Sequence, residues 1–273
     1  MPVDADAEVL SNTRLSDEYC LLALHAPALA TAIRPGQFVM IRTSASDVPL
    51  LRRPYSIFER LREASGRPIG FSILNKRVGT GSRLLFAAAR GQRFACLGPL
   101  GRPFTPPASP AEAWMVAGGT GLAPFATLSE ELAARGIRST LFYGARTARE
   151  LFCVDLFDRL AVRVVLATED GTRGEPGRVT VPLARELASV GAASPIVLYA
   201  CGPEAMLKAV AGLAAAHDRV CELATERQMG CGLGGCYSCV VRVRTPDGGT
   251  RYARSCIEGP VFRADQLVWD ENG

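Results

Sequence analysis

Trp114-Met115-Val116-Ala117-Gly118-Gly119-Thr120-Gly121-Leu122-Ala123-Pro124 decides how this chain folds. Its four leading apolar residues read as a buried strand, its glycines as a tight turn, and the segment from Pro124 to Arg135 as a helix. A glycine-rich turn between a parallel strand and a helix lets backbone amides and the helix N-terminus approach a pyrophosphate. The pattern is G-x-G-x-x-P rather than G-x-G-x-x-G, so alone it reads equally well as a generic tight turn. The surrounding uncharged run, Ala113 to Ser129, is nearly bilayer length, but Gly118, Gly119, Gly121 and Pro124 break it into strand, loop and helix.

Downstream the alternation continues. Strands are expected at Ser139–Tyr143, Val162–Leu166 and Ile196–Ala200, and helices at Leu151–Leu160 and Glu204–Ala216. Strands separated by helix-length segments imply a doubly wound parallel sheet. Upstream the rhythm differs: Glu18–Leu24, Gln37–Arg42, Gly70–Leu74 and Gln92–Leu97 are short strands punctuated by Pro35-Gly36, Gly66 and Gly91. That spacing suggests a small antiparallel β-barrel, with one helix over Ser82–Arg90. Between the halves, Pro103, Pro106, Pro107 and Pro110 read as a structureless linker.

Four of the nine cysteines, Cys231, Cys236, Cys239 and Cys256, follow the spacing C-x4-C-x2-C-x16-C. This is the plant-type pattern for a [2Fe–2S] cluster. Gly230, Gly232, Gly234 and Gly235 let the chain wrap closely and turn its amides toward negatively charged sulfur. Val240–Arg244 and Thr250–Tyr252, joined by Pro246-Asp247-Gly248-Gly249, read as a hairpin that carries Cys256 back to the loop. A structural zinc site is the alternative, but zinc ligands usually come as two short C-x2-4-C pairs. The expected architecture is α+β and multidomain: a barrel over 1–107, an α/β nucleotide domain over 108–222, and a small cluster module over 223–273.

Hydrophobic content of 48% and charged content of 21% over 273 residues are globular values. The net charge of +4 is small and its cations are dispersed, so no nucleic-acid surface is expected. Cys20, Cys96, Cys153, Cys201 and Cys221 lack framework spacing, and no basic-then-apolar leader is visible. A cytoplasmic protein with no membrane segment is the expectation.

Other candidate positions lie at expected strand ends. Thr168-Glu169-Asp170-Gly171 and Tyr199-Ala200-Cys201-Gly202-Pro203 fall at the carboxyl edge of the sheet, where open α/β folds bind ligands. The second also reads as a plain helix start. Tyr143-Gly144-Ala145-Arg146 lacks the acidic residue that often holds an adenine ribose; Arg146 and Arg149 either meet a phosphate or are solvated. Arg52-Arg53-Pro54-Tyr55-Ser56-Ile57 sets a cation, a ring and a hydroxyl close together, and Leu74-Asn75-Lys76-Arg77-Val78-Gly79-Thr80-Gly81-Ser82 puts glycines and hydroxyls before a helix. Glu226 and Arg227 either line the cluster approach or form a surface ion pair. His25 and His217 have no partner motif, Cys20 and Cys96 read as core, and Cys221 as filler.

Taken together, these stretches resemble the ferredoxin–NADP⁺ reductase superfamily over about 7–220. With the cysteine loop and Cys256-Ile257-Glu258-Gly259-Pro260-Val261-Phe262 added, the chain is similar to the electron-transfer subunits of class 1B dihydroorotate dehydrogenases. The resemblance implies FAD on Arg53, Pro54, Tyr55, Ser56, Leu74, Asn75 and Lys76, with Gly81 and Ser82 at its phosphates. It implies NAD on Gly119, Thr120 and Gly121, with Cys201, Gly202 and Pro203 beside the nicotinamide and Asp170 a weaker member. It implies Cys231, Cys236, Cys239 and Cys256 as cluster ligands and no catalytic acid, base or nucleophile. The implied partner is an FMN-containing catalytic subunit, two of each forming a heterotetramer, with electrons running to NAD⁺ during pyrimidine biosynthesis. The chain alone would be a diaphorase. The departures are Tyr55 for an aliphatic residue, Ser82 for threonine and Glu258 for aspartate. Alternatives are a flavin/iron–sulfur reductase of hydrogenase, transhydrogenase or oxygenase type, and a non-enzymatic redox sensor.

Overall fold

Two seven-stranded sheets, one antiparallel and one mostly parallel, divide the chain at its proline-rich stretch. The computed structural model describes residues 2–44, 46, 48–108, 111–191 and 194–269.

The first sheet comprises β1 (Val3–Arg14), β2 (Tyr19–His25), β3 (Phe38–Ile41), β4 (Arg53–Ser56), β5 (Arg60–Arg62), β6 (Pro68–Lys76) and β7 (Arg93–Leu100), in the order β4-β3-β7-β1-β2-β6-β5. Its two edges come from one continuous segment, 53–62. Phe58 N donates to Ser72 O at 2.8 Å and Ser72 N to Glu59 O at 3.0 Å, so the sheet curls toward closure as the expected barrel does. Leu22, Leu24, Phe71, Ile73, Phe94 and Cys96 fill it, with Leu29 from α1 (Pro27–Ala30) and Leu85 from α2 (Thr80–Phe86). Cys20 and Cys96 are buried, as expected. The helix expected over 82–90 starts and ends earlier. The Ser82 hydroxyl accepts the Val78 and Gly79 amides, each at 2.9 Å, so Thr80, Gly81 and Ser82 form the first turn instead of preceding it.

The rest of the chain holds β8 (Glu112–Gly118), β9 (Ser139–Ala145), β10 (Arg163–Thr168), β11 (Glu175–Pro176), β12 (Ile196–Cys201), β13 (Val220–Ala224), the hairpin β14 (Val240–Arg244) and β15 (Thr250–Arg254), and β16 (Val261–Arg263). The second sheet runs β11-β10-β9-β8-β12-β13-β16, parallel except for β16. From β8 the chain builds outward through β9 and β10, then returns to the other side with β12 and β13. The order therefore reverses between β8 and β12, where open α/β sheets take their ligands. α3 (Ala123–Ala134) and α4 (Val154–Arg159) pack with one face; α5 (Thr180–Ser189), α6 (Glu204–Ala216) and Val241, Val243 and Ala253 of the hairpin pack with the other.

Three local readings are corrected. α4 is shorter than expected, because Cys153 at its N-cap takes a left-handed φ of 55°. α5 arises unannounced, buried through Leu183 and Leu187 one turn apart. Cys221 is no filler: it sits in β13 and packs into the core.

The linker is pinned rather than loose. Phe104 is 1% exposed, stacked on Phe125 at 5.8 Å and edge-on to Tyr199 at 5.4 Å. The Tyr199 hydroxyl donates to Thr105 O at 2.7 Å, and Thr105 N to Glu222 Oε2 at 2.8 Å. Pro110 lies outside the described residues. Replacing Phe104 with alanine removes the ring that joins both halves; the expected cost is about 3–5 kcal/mol of unfolding free energy, measured by urea denaturation. A loss below about 1 kcal/mol contradicts a pinned linker.

Candidate functional site

At the reversal between β8 and β12, backbone meets backbone. A Cβ on Gly121 would stand 2.1 Å from the Cys201 carbonyl oxygen, so only glycine fits there. Gly118 packs against Pro203 and Met206, and Gly202 against the Gly118 amide. The glycine-rich turn and Cys201-Gly202-Pro203, separate in sequence, thus form one edge. Gly119 takes a φ of 55° with open space beside it, and Thr120 is half-buried. The Cys201 thiol is enclosed although the residue keeps some exposed surface, and burial pushes it up to about 12.

The neighbouring loops are more occupied. The Asp170 carboxylate accepts the Thr172 hydroxyl at 2.6 Å and the Thr172 amide at 3.0 Å, which holds it below the usual carboxylate range and closes its own loop. Arg146 is ion-paired to Glu150 at 2.7 Å, and Glu150 also accepts the Arg146 amide at 3.3 Å. The acidic group missing from the end of β9 therefore arrives from Glu150, four residues later. Arg149 is exposed.

On the barrel, Asn75 is fully buried and joins three elements. Its amide donates to Ser82 O at 3.1 Å and Cys20 Sγ at 3.5 Å, and its oxygen accepts the Tyr55 hydroxyl at 3.0 Å. Burial pushes the Tyr55 phenol above its ordinary value. The adjacent arginines differ. Arg52 is clamped to Asp4 by two bonds of 2.9 and 2.7 Å. Arg53 bonds backbone oxygens, Leu51 O at 2.8 Å, and has no carboxylate partner among the described residues. A Cβ on Gly81 would lie 3.2 Å from Arg53 Cγ and 3.1 Å from Thr43 Oγ1. Thr43 is the residue that sequence reasoning missed. Its hydroxyl is buried without a hydrogen-bond partner among the described residues. Pro54 and Ser56 flank Tyr55 on β4, half-buried. Leu74 packs into the core shared with α3, and Lys76 lies 5.1 Å over the Tyr19 ring, itself 4.7 Å from Phe152 across the two halves.

The cysteine loop packs on the barrel wall. A Cβ on Gly232, at a φ of 71°, would stand 2.6 Å from Met40 Cγ. Met40 pairs with Pro54 in the β3–β4 register. Cys239 and Cys256 share an apolar cluster with Phe38, Met40 and Leu100. The four thiols share one neighbourhood: Cys231 acts on both Cys236 and Cys256, and Cys239 on Cys256. Ser238 and Cys231 hold Cys236 down at about 6, while burial and Cys239 push Cys256 up to about 12. Amides point at sulfur: Cys231 N lies 3.4 Å from Cys236 Sγ and Leu233 N 3.3 Å from Cys231 Sγ. Four cysteines in a glycine-rich loop and its returning strand, with amides aimed at Cys231 and Cys236, are a donor set that fits an iron–sulfur cluster.

Arg227 is ion-paired, but to Glu204 at 2.5 Å rather than to Glu226. Arg254 N donates to Glu258 and Arg251 pairs with it at 2.6 Å, so the glutamate braces the returning strand. No helix among the described residues is long and apolar enough to cross a membrane.

Comparison with known proteins matches residues 226–268 to the iron–sulfur cluster binding domain of dihydroorotate dehydrogenase B and residues 115–212 to an oxidoreductase NAD-binding domain. The electron transfer subunit of dihydroorotate dehydrogenase B (NAD(+)) from Desulforamulus reducens is 36% identical over 97% of this chain and 98% of its own. The subunit of the same name from Geobacillus thermodenitrificans is 36% identical over 95% and 96%. Among solved structures, the NADH-dependent reduced ferredoxin-NADP oxidoreductase has a TM-score of 0.82 at 26% identity, covering 98% of this chain and 91% of that one. The ferredoxin reductase of carbazole 1,9a-dioxygenase shares the fold, with a TM-score of 0.68 at 24% identity over 80% of this chain and 67% of that one. The chain belongs to the family of electron transfer subunits of dihydroorotate dehydrogenase B (NAD(+)).

One consequence concerns Cys201. A thiol raised to about 12 stays protonated at pH 8, so iodoacetamide is expected to leave Cys201 unmodified in the native protein and to alkylate it after denaturation. Peptide mapping by mass spectrometry reads this; rapid native alkylation contradicts the enclosed thiol.

Proposed function

We propose that this chain carries electrons from the FMN of a dihydroorotate dehydrogenase catalytic subunit, by way of [2Fe–2S] and FAD, to NAD⁺ in pyrimidine biosynthesis. The observation that carries this reading is the seating of Gly232 on Met40, one register pair from Pro54 on the flavin strand. A cluster loop placed there serves a flavin barrel and remains open on its other side, where Cys236, Tyr237 and Leu233 are exposed.

When bound, the flavin accepts or gives hydride and the cluster passes single electrons. The chain's own residues bind and orient. Arg53 offers a guanidinium bonded to the backbone oxygens of Leu51 and Arg52 but to no carboxylate among the described residues, and Thr43 a buried hydroxyl, to the FAD phosphates beside Gly81 and Ser82. Because the Ser82 hydroxyl already holds the Val78 and Gly79 amides, its part there falls to its backbone N–H. Tyr55, held by Asn75, and Pro54, Ser56, Leu74 and Lys76 line the flavin side. Gly119, Thr120 and Gly121 present amides to the nucleotide, and Cys201, Gly202 and Pro203 border its nicotinamide. Cys231, Cys236, Cys239 and Cys256 hold the cluster. No residue acts as general acid, base or nucleophile. We take the domains as 1–107, 108–222 and 223–273, and the complex as a cytoplasmic heterotetramer of two copies of each subunit.

A transhydrogenase-type role is the second reading, supported by the likeness over nearly the whole chain to the NADH-dependent reduced ferredoxin-NADP oxidoreductase. Dihydroorotate separates the two. The chain alone is expected to reduce dyes with NADH and to form no orotate. With the FMN partner added under anaerobic conditions, dihydroorotate is expected to bleach the visible absorbance of this chain. No bleaching with partner present excludes the first reading.

Thr43→Val keeps the shape of the side chain and removes the hydroxyl. FAD affinity is expected to fall roughly five- to tenfold, about 1–1.5 kcal/mol, in a fluorescence titration of the flavin-stripped protein. An unchanged affinity removes Thr43 from the flavin site.

A further inference from the structure

Tyr237 takes a φ of 58°, and the turn this makes brings Ser238 back against the front of the cysteine loop. The Ser238 hydroxyl then meets two partners. It accepts the Gly230 amide at 3.0 Å and lies 3.2 Å from Cys236 Sγ. A serine hydroxyl has one proton and two acceptor lone pairs. Gly230 occupies a lone pair, and an iron-bound cysteine is a thiolate with no proton to give. The hydroxyl proton is therefore left to point at Cys236.

Two other donors described above reach sulfur in this loop, and both are backbone amides: Cys231 N at Cys236 and Leu233 N at Cys231. An amide persists through almost any substitution; the serine hydroxyl does not. Reduction of the cluster adds one electron and no proton, and the added negative charge spreads onto the cysteine sulfurs. Hydrogen bonds to those sulfurs are among the factors that set the potential. A charge-assisted donor aimed at sulfur is stronger than a neutral one and favours the reduced state.

We infer that Ser238 is a positioning residue that raises the reduction potential of the cluster through its hydrogen bond to Cys236. The inference rests on the cluster assignment proposed above. It predicts that the loop Cys236-Tyr237-Ser238-Cys239 tunes the electron-exit step without touching flavin or nucleotide.

The test is an anaerobic redox titration of the full flavin- and cluster-loaded chain, followed by electron paramagnetic resonance. Native protein, Ser238→Ala and Ser238→Thr are compared, with iron and acid-labile sulfide counted in each. Ser238→Ala is expected to shift the one-electron equilibrium roughly tenfold toward the oxidised form, a lowering of about 59 mV. Ser238→Thr keeps the hydroxyl and is expected to remain within roughly twofold of native. A full cluster with an unchanged potential in Ser238→Ala overturns the inference. Native protein without iron and sulfide overturns the cluster assignment instead. If Ser238→Ala does not load, resonance Raman spectra of the native holoprotein in D₂O decide. A prompt isotope shift in the iron–cysteine stretching modes is expected, and its absence overturns the inference.

Discussion

Residues 259–263 hydrogen-bond to both halves of the chain at once, and the remaining geometry depends on that double attachment. Arg102, just beyond β7, donates to Gly259 O at 2.6 Å, while Val261–Arg263 pairs antiparallel with β13. Thr225 completes the joint: its amide and its hydroxyl reach Pro260 O at 2.9 and 3.1 Å. With its own proton spent on Pro260, Thr225 accepts from the buried Ser255 hydroxyl at 3.2 Å. Ser255 N donates to Cys239 O at 2.9 Å, so the joint and the cysteine loop share one bonded network. Barrel, nucleotide sheet and cysteines are fixed relative to one another by main-chain bonds rather than by a flexible tether.

This explains how one chain accommodates two kinds of electron chemistry. The nucleotide edge between β8 and β12 is built from close backbone approach, Gly121 against Cys201, which suits a flat ligand and a phosphate chain. The cysteine loop is built from positive-φ glycines that turn amides inward, which suits concentrated negative charge on sulfur. Met40 lies between the cysteine loop and β4, and the buried Cys239 and Cys256 share its apolar cluster. The more exposed pair, Cys231 and Cys236, faces outward.

What was legible in the sequence was local or strictly spaced. The strand–turn–helix at 114–135 and the hairpin between Cys239 and Cys256 each encode their geometry within a short window, and the structure follows both. What escaped depends on side-chain partners that carry no motif, some a turn away and some distant in the chain. Ser82 lies in the first helical turn because its hydroxyl catches Val78 and Gly79. The start of the proline-rich stretch is pinned because Phe104 finds Phe125 and Tyr199. Thr43 carries no motif; only a buried hydroxyl beside Gly81, with no hydrogen-bond partner among the described residues, marks it. Arg146 looked available for a phosphate until Glu150 folded back onto it. α5 was hidden because two leucines a turn apart are too weak a signal beside glycine- and proline-rich flanks.

The central claim is that nucleotide, flavin and cluster sites work as one fixed unit within this chain. Rapid mixing of the isolated, cofactor-loaded chain with NADH, without any partner and with freeze-quenched electron paramagnetic resonance alongside absorbance, tests it most directly. The account predicts flavin bleaching followed by a reduced-cluster signal approaching one per chain. Flavin that bleaches while the cluster stays oxidised would contradict it.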